Sequence, residues 1–440
     1  MKKLLPKGVS KKDLLNLMQA ARANDANWKE GRTFSLVYYA GEELSNVVKE
    51  AYNLFFHENG LNPMAFQSLR KFETEVVSMT SDLLNGDESV VGSLTSGGTE
   101  SILMAVKAYR DFARKTKPHI TEPEMLIPAT AHAAFEKAAH YFGVKAVHIP
   151  VMESYEVNIE KMRAAITTNT ILLVGSAPNY PQGVMDPIEA LGELAIEADI
   201  PLHVDACLGG FILPFIEKLG YDIAPFDFRV KGVTSISADV HKYGYAAKGA
   251  SVLLFRDESL RRSQYFAYGE WPGGLFASPS MTGTRPGGAI AAAWAIFNYL
   301  GIEGYLKLAE KTMQTTEKFL KGIVLIPELT ILGDPQASIF SIASEEVNIL
   351  VVADEMEAKG WHMDRQQLPT SLHFMITPAH ESITDQFIED LRVAVRYAKN
   401  NPNAAGQRTA AMYGLIGQLQ DKTDINEYLL QTLDQTMRLK

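Results

Sequence analysis

The chain has 440 residues, 46% of them hydrophobic and 21% charged, and a formal net charge of −10. That length can bury a sizeable core and holds two or three units of ordinary domain size, while the negative balance argues against nonspecific nucleic-acid binding and leaves any anionic ligand to locally placed donors. The single cysteine, Cys207, excludes an internal disulfide and suits a reducing, cytoplasmic setting.

The N-terminus, Met1-Lys-Lys-Leu-Leu-Pro-Lys7, is basic but leads into no signal-like apolar run. Residues 10–24 carry apolar side chains at helical spacing (Leu14, Leu15, Leu17, Met18, Ala21), and Thr33–Gly41 reads as extended. A second helix is predicted over 42–57, the cluster Asn59-Gly-Leu-Asn-Pro63 is a turn, and 69–84 is a third helix closed by Asn85-Gly86. From Ser89 onward strand-like runs alternate with helical ones, at 89–94, 125–127, 146–149, 170–174, 201–205, 232–236 and 251–255. Such alternation is the signature of an α/β fold with a mostly parallel central sheet.

The longest mostly apolar stretch, Ala289–Leu300, is shorter than the roughly 20 residues that cross a bilayer. It reads as the start of a buried helical region over 287–322, and no transmembrane segment is expected. Shorter strands follow at 329–332, 339–342 and 372–376, with helices at 347–359 and 382–399, so the grain changes to α+β. The expected organisation is an N-terminal segment (1–58), a large α/β domain (59–315) and a smaller C-terminal α+β domain (316–440).

Four local groups and one lysine carry chemistry. Lys242 sits in a tight loop between two apolar strands, within Ser237-Ala-Asp-Val-His-Lys-Tyr-Gly244. Burial and neighbouring cations would lower its pKa and free the amine for Schiff-base chemistry. Thr95-Ser-Gly-Gly-Thr-Glu100 joins a strand to a helix start, where glycines let a phosphate approach unpaired N–H groups. It has neither P-loop nor GxGxxG spacing. Asp205, in His203-Val-Asp-Ala-Cys-Leu-Gly-Gly210, lies at the carboxyl end of a buried strand, where it can pair with a cationic ring nitrogen or cap the next loop. His132 stands at a helix entrance, placed either to stack on a flat ring or to cap the helix. The loop 273–288 packs glycines, hydroxyls and Arg285 together, which suits anion contact or a subunit boundary. Together these supply phosphate donors, a stacking imidazole, an acid for a pyridinium nitrogen and a Schiff-base lysine, the contacts that pyridoxal 5'-phosphate needs.

These stretches, with Ser93–Met104 and Gly274-Leu-Phe-Ala-Ser-Pro-Ser-Met-Thr-Gly-Thr-Arg-Pro-Gly287, resemble the fold-type I pyridoxal-phosphate enzymes of the group II decarboxylase superfamily, and within it the sphingosine-1-phosphate lyase family. The resemblance implies an aspartate aminotransferase-like fold. It implies that Lys242 bonds the cofactor, with Asp205 on the ring nitrogen, His132 on the ring face, and Gly97, Gly98, Thr99 and His241 completing the site. It places substrate-phosphate contacts on Tyr38, Lys248 and Tyr413. Asn62, before Pro63, stands where the family usually carries a phosphate-site histidine. It further implies a homodimer with shared active sites, in which Tyr38 and the 276–288 loop serve the neighbouring site.

The implied reaction is retro-aldol cleavage of the Cα–Cβ bond of a phosphorylated sphingoid base, giving phosphoethanolamine and a fatty aldehyde. Tyr243, Tyr245 or Lys242 would be the base. The alternative is an amino-acid decarboxylase on the same scaffold, which must grip a carboxylate, usually through an arginine of the small domain. The segment 369–377 offers His373 and no arginine, with Arg365 nearby. A noncatalytic relative is disfavoured by the intact Lys242 and Asp205. No metal-binding spacing is present.

Overall fold

The seven strands expected between 89 and 255 form one sheet in this computed structural model, which describes residues 3–402, 404 and 422–438. Three helices precede it: α1 (Lys11–Ala21), α2 (Glu42–Leu54) and α3 (Gln67–Leu83). The sheet region then runs β1 (Val91–Thr95), α4 (Gly98–Thr116), β2 (Glu124–Pro128), α5 (Ala134–Phe142), β3 (Lys145–Ile149) and α6 (Ile159–Ala165). It continues with β4 (Thr170–Ser176), α7 (Ile188–Ala198), β5 (Leu202–Asp205), α8 (Leu213–Lys218), β6 (Val233–Ala238) and β7 (Ser251–Phe255).

The spatial order is β1-β7-β6-β5-β4-β2-β3. β2 pairs in parallel with β3 and β4, and β5 with β4 and β6. The four helix-flanked strands β2, β4, β5 and β7 are buried along their whole length, which is why they read as near-continuous apolar runs rather than alternating ones. β7 is antiparallel to both β6 and β1. The cause is local: only residues 239–250 join β6 to β7, too few for a crossover helix, so the chain must turn straight back. Lys242 sits in that turn. Because β7 is reversed, the turn hangs over the edge where β1, β2, β4, β5 and β6 all end.

Beyond the sheet come α9 (Glu258–Arg262) and an exposed hairpin of β8 (Phe266–Tyr268) and β9 (Phe276–Ser278). The long helix α10 (Gly287–Val324) breaks at Gly301, whose φ is 54°. Its first half, including Ile290, Ala293 and Ile296, packs in the core of the large sheet, while Phe319 and Ile323 belong to the core of the small domain. It is the one helix among the described residues long and apolar enough to cross a membrane by length and composition, and its opening residues, Gly287 to Ala293, are buried in protein. The expected boundary at 315/316 falls inside it.

The small domain holds β10 (Thr330–Ile331), β11 (Ile339–Ala343), α11 (Ile349–Ala358), β12 (Asp364–Gln366), β13 (Ser371–Met375) and α12 (Thr384–Asn400), in a four-stranded antiparallel sheet ordered β10-β11-β13-β12. A last helix spans Lys422–Thr436. The short strand β12 was not expected from the sequence. Nor was the course of Thr33–Gly41: Phe34 is fully buried against Phe319, Phe374, Phe387 and His380 of the small domain. Its backbone receives a bond from Met375 N at 2.8 Å and gives one to His362 O at 3.0 Å. Truncating such a ring costs about 3–5 kcal/mol, so the N-terminal segment is stitched into the small domain.

Candidate active site

A cavity of about 370 Å³ opens at the carboxyl edge of the sheet, lined by Ser96, Gly97, Gly98, Thr99 and Glu100, by His132, Pro178 and Tyr180, and by Asp205, Cys207, Asp239, His241 and Lys242. Its size falls within the range of small-molecule sites. The expected lysine, acid, imidazole and glycine-rich loop are thus brought together from four separate strand ends. A larger cavity, about 820 Å³, lies between α3 and the β8–β9 hairpin. It contains none of these groups.

Lys242 Nζ is 2.9 Å from Asp239 Oδ2. Asp239 is almost wholly buried, and its Oδ1 has no hydrogen-bond partner among the described residues. Burial taken alone lowers the Lys242 amine, but the Asp239 carboxylate, with Cys207 and Asp205 behind it, outweighs burial, and the net shift is upward. This corrects the expectation from the sequence that Lys242 is held as a free amine: without a cofactor the chain holds it as an ammonium. Asp239 responds in kind. Burial raises it, Lys242 and His241 lower it, and the lowering prevails. Nothing in the sequence pattern singled out Asp239, although its position one turn before Lys242 was a usable signal.

Asp205 ends β5 in register with Ser237 of β6. Its Oδ1 accepts from Cys207 N at 3.1 Å and from Ser237 Oγ at 3.3 Å. Behind it, His203 is fully buried between Ser235 and Ser237, and burial pushes its imidazole down to about 4. A neutral imidazole therefore supports the acid from below.

Gly97 and Gly98 open α4, whose 19 residues direct unpaired N–H groups at the cavity. A side chain at Gly98 would place its Cβ 2.7 Å from Asp239 Oδ2 and 2.9 Å from Cys207 Sγ, so only glycine leaves this end open. Glu100, also buried, accepts from Ser96 N at 2.6 Å and from Met281 N at 2.7 Å. It ties the glycine loop to the segment after β9, a role that the motif did not reveal. His132 lines the cavity and caps α5 as well, since Nδ1 accepts from Ala134 N at 3.1 Å. The capping contact is thus present, and the same imidazole forms part of the cavity wall.

A phosphate-bearing aromatic aldehyde fits this set: glycine N–H groups for an anion, an imidazole for a ring face, a carboxylate for a ring nitrogen, and a lysine for the aldehyde carbon.

At a second point Tyr38 and Lys248 converge. Lys248 Nζ lies 5.1 Å from the Tyr38 ring centre and 3.3 Å from His241 O. Burial, then the Lys242 charge, push Lys248 down to about 8, although solvent reaches its side chain. Tyr38 gives its hydroxyl proton to Met375 Sδ at 3.0 Å. Asn62 is elsewhere: its side chain accepts from Met64 N at 2.9 Å, fixing its own turn. Tyr413 lies outside the described residues.

Neither tyrosine after Lys242 lines the cavity. Tyr243 gives its hydroxyl proton to Ile376 O at 2.9 Å and receives one from Ser338 Oγ at 2.8 Å, both across the domain boundary. Tyr245, with φ 57°, turns the loop and is buried in the core of the large sheet. Of the three candidate bases only Lys242 faces the cavity. Arg285 is likewise committed, bonded to both oxygens of Glu73 at 2.7 and 2.9 Å and to the carbonyls of Leu94 and Gly60. Its anion is Glu73 of the same chain, and the contact braces the loop.

Residues 26–340 match the family model described as the pyridoxal-dependent decarboxylase conserved domain. A sphingosine-1-phosphate lyase of Dictyostelium discoideum is 46% identical over 98% of this chain and 81% of its own length. One from Rattus norvegicus is 45% identical over 98% of this chain and 76% of its own. The solved structure of a sphingosine-1-phosphate lyase from Burkholderia pseudomallei superposes with a TM-score of 0.91 at 39% identity, covering 100% of this chain and 98% of that one.

Proposed function

The chain belongs to the sphingosine-1-phosphate lyase family within the pyridoxal-dependent decarboxylases, and on that premise we propose how its residues divide the work of a pyridoxal-phosphate-dependent carbon–carbon lyase. The substrate is a phosphorylated sphingoid base, cleaved between Cα and Cβ by retro-aldol chemistry to phosphoethanolamine and a fatty aldehyde. When bound, pyridoxal phosphate supplies an electron sink for the charge left on Cα. Lys242 is the amine that would carry the cofactor and, of the three candidate bases, the one that lines the cavity. Asp205 would hold a proton on the ring nitrogen, His132 would cover the ring, and Gly97, Gly98 and Thr99 would hold the phosphate at the head of α4. Tyr38 and Lys248 take the substrate's own phosphate, with Tyr413 as a further expected contact.

The observation that carries the lyase over the decarboxylase is the fate of Arg365. Its guanidinium is bound to Asp354 at 2.8 Å and Glu357 at 2.7 Å on α11. Held against α11 and not part of the cavity lining, it is not placed to grip a substrate carboxylate. Cofactor-loaded protein should release phosphoethanolamine and a long-chain aldehyde from sphingosine 1-phosphate and no carbon dioxide from amino acids. Carbon dioxide without aldehyde would transfer the function to the decarboxylase.

A homodimer with shared sites goes with this reading. It is supported by the apolar faces this chain leaves open: α1 buries none of its residues, and Phe266, Trp271, Leu275 and Met281 of the hairpin region are exposed. Contiguous apolar surface of this kind marks association sites. A cytoplasmic setting is supported by the single, buried Cys207.

A further inference from the structure

Tyr180 follows β4 and lines the cavity together with Lys242, His132 and Asp205. Its hydroxyl donates to Asp364 Oδ2 on β12 at 2.7 Å, across the domain boundary. Its ring stacks on His373 of β13, with centroids 4.2 Å apart and planes at 27°, and stands edge-on to His132. A phenol has one O–H donor; with that donor engaged by Asp364, the oxygen offers only lone pairs to anything else. Burial and then the Asp364 carboxylate raise the phenol's pKa, while the Lys242 charge reaches it and pulls the other way. The hydroxyl thus stays protonated, within the field of the reactive lysine.

Besides Lys242, which would carry the cofactor in the loaded protein, the surroundings of Tyr180 add no positive charge. Burial lowers the His373 imidazole, whose Nε2 is buried without a partner among the described residues. Arg365 follows Asp364 on the same strand and so points to the opposite face, where it is held by α11. This wall therefore presents lone pairs backed by a carboxylate, which welcomes an ammonium or hydroxyl proton and repels a second carboxylate.

We propose that Tyr180, positioned by Asp364, is a specificity-determining residue that turns carboxylate-bearing amines away from the cavity and leaves it to amino alcohols. This rests on the lyase reading and adds an exclusion element to it: decarboxylase substrates are rejected by repulsion as well as by want of a partner for the carboxylate.

The test uses the cofactor-loaded protein and two pairs of amines that differ only in a carboxylate: phosphoethanolamine against O-phospho-L-serine, and ethanolamine against L-serine. Binding is followed through the visible absorption of the cofactor. The wild-type protein should bind the carboxylate-free member of each pair more tightly. Asp364→Asn should narrow that preference about tenfold, because one nearby unit charge is removed, with the change falling on the carboxylated member. Tyr180→Phe, which removes the lone pairs, reads the same ratio should the first variant fail to load cofactor. A preference that shifts by less than about threefold, or equal weakening of both members, overturns the proposal, since a merely structural role would weaken both. The lyase reading fails separately: it would show as phosphoethanolamine binding no better than ethanolamine in the wild-type protein.

Discussion

Asp239 Oδ2 stands 2.9 Å from Lys242 Nζ at the floor of the cavity, so the amine destined for the cofactor is held as half of an ion pair. Removing one half leaves the other charge unmatched in a site where Asp239 is 1% exposed. Asp239→Asn should cost the cofactor-free protein about 3 kcal/mol. The double variant with Lys242→Met should recover most of it, as measured by urea unfolding. An additive double-variant cycle would show that the two side chains do not depend on each other.

Lys242→Ala should fold and have no turnover. It should also show no borohydride-fixed cofactor, which separates loss of the attachment point from loss of the fold. Residual turnover above background would remove Lys242 from its assigned role.

Lys248 is pushed down to about 8, so its positive charge is present below that pH and lost above it. The KM for a phosphorylated substrate should therefore rise as pH passes from about 7 to 9, while that of a dephosphorylated analogue stays flat. Lys248→Ala should erase the difference between the two profiles. Equal losses on both substrates would place Lys248 outside the phosphate site.

Tyr243 spends its hydroxyl on Ile376 O and Ser338 Oγ. Tyr243→Phe should lower stability by about 1 kcal/mol and leave kcat within about threefold of wild type. A fall of a hundredfold or more in kcat, with the fold intact, would restore Tyr243 as the base.

His203 and His380 are buried and pushed down to about 4, against about 6.5 in the unfolded chain. Between those values the unfolded state binds more protons than the folded one, so stability is full above about pH 6.5 and is lost as pH falls toward 4. The melting temperature should drop steadily over that window. His203→Gln should flatten the drop. A profile unchanged by that substitution would mean that other groups govern acid unfolding.

The sequence by itself determined the alternation of β4, α7 and β5, the turn that holds Lys242, and the glycine opening of α4. Each follows from a local cause, such as apolar runs, loop length or a missing Cβ. It also placed Asp205 at a strand end, because buried strands announce where they stop. Only the tertiary structure decided which charges meet. Asp239 becomes the counter-ion of Lys242, Arg285 is consumed by Glu73, Arg365 is held by Asp354 and Glu357, and Tyr180 donates a hydrogen bond to Asp364 from 184 residues away. Electrostatic partners are set by distances of a few ångströms between side chains, and those distances exist only once the chain has folded and, for Tyr180 and Asp364, once the two domains have packed. Hydrophobic periodicity is written along the chain; the pairing of charges is written across it.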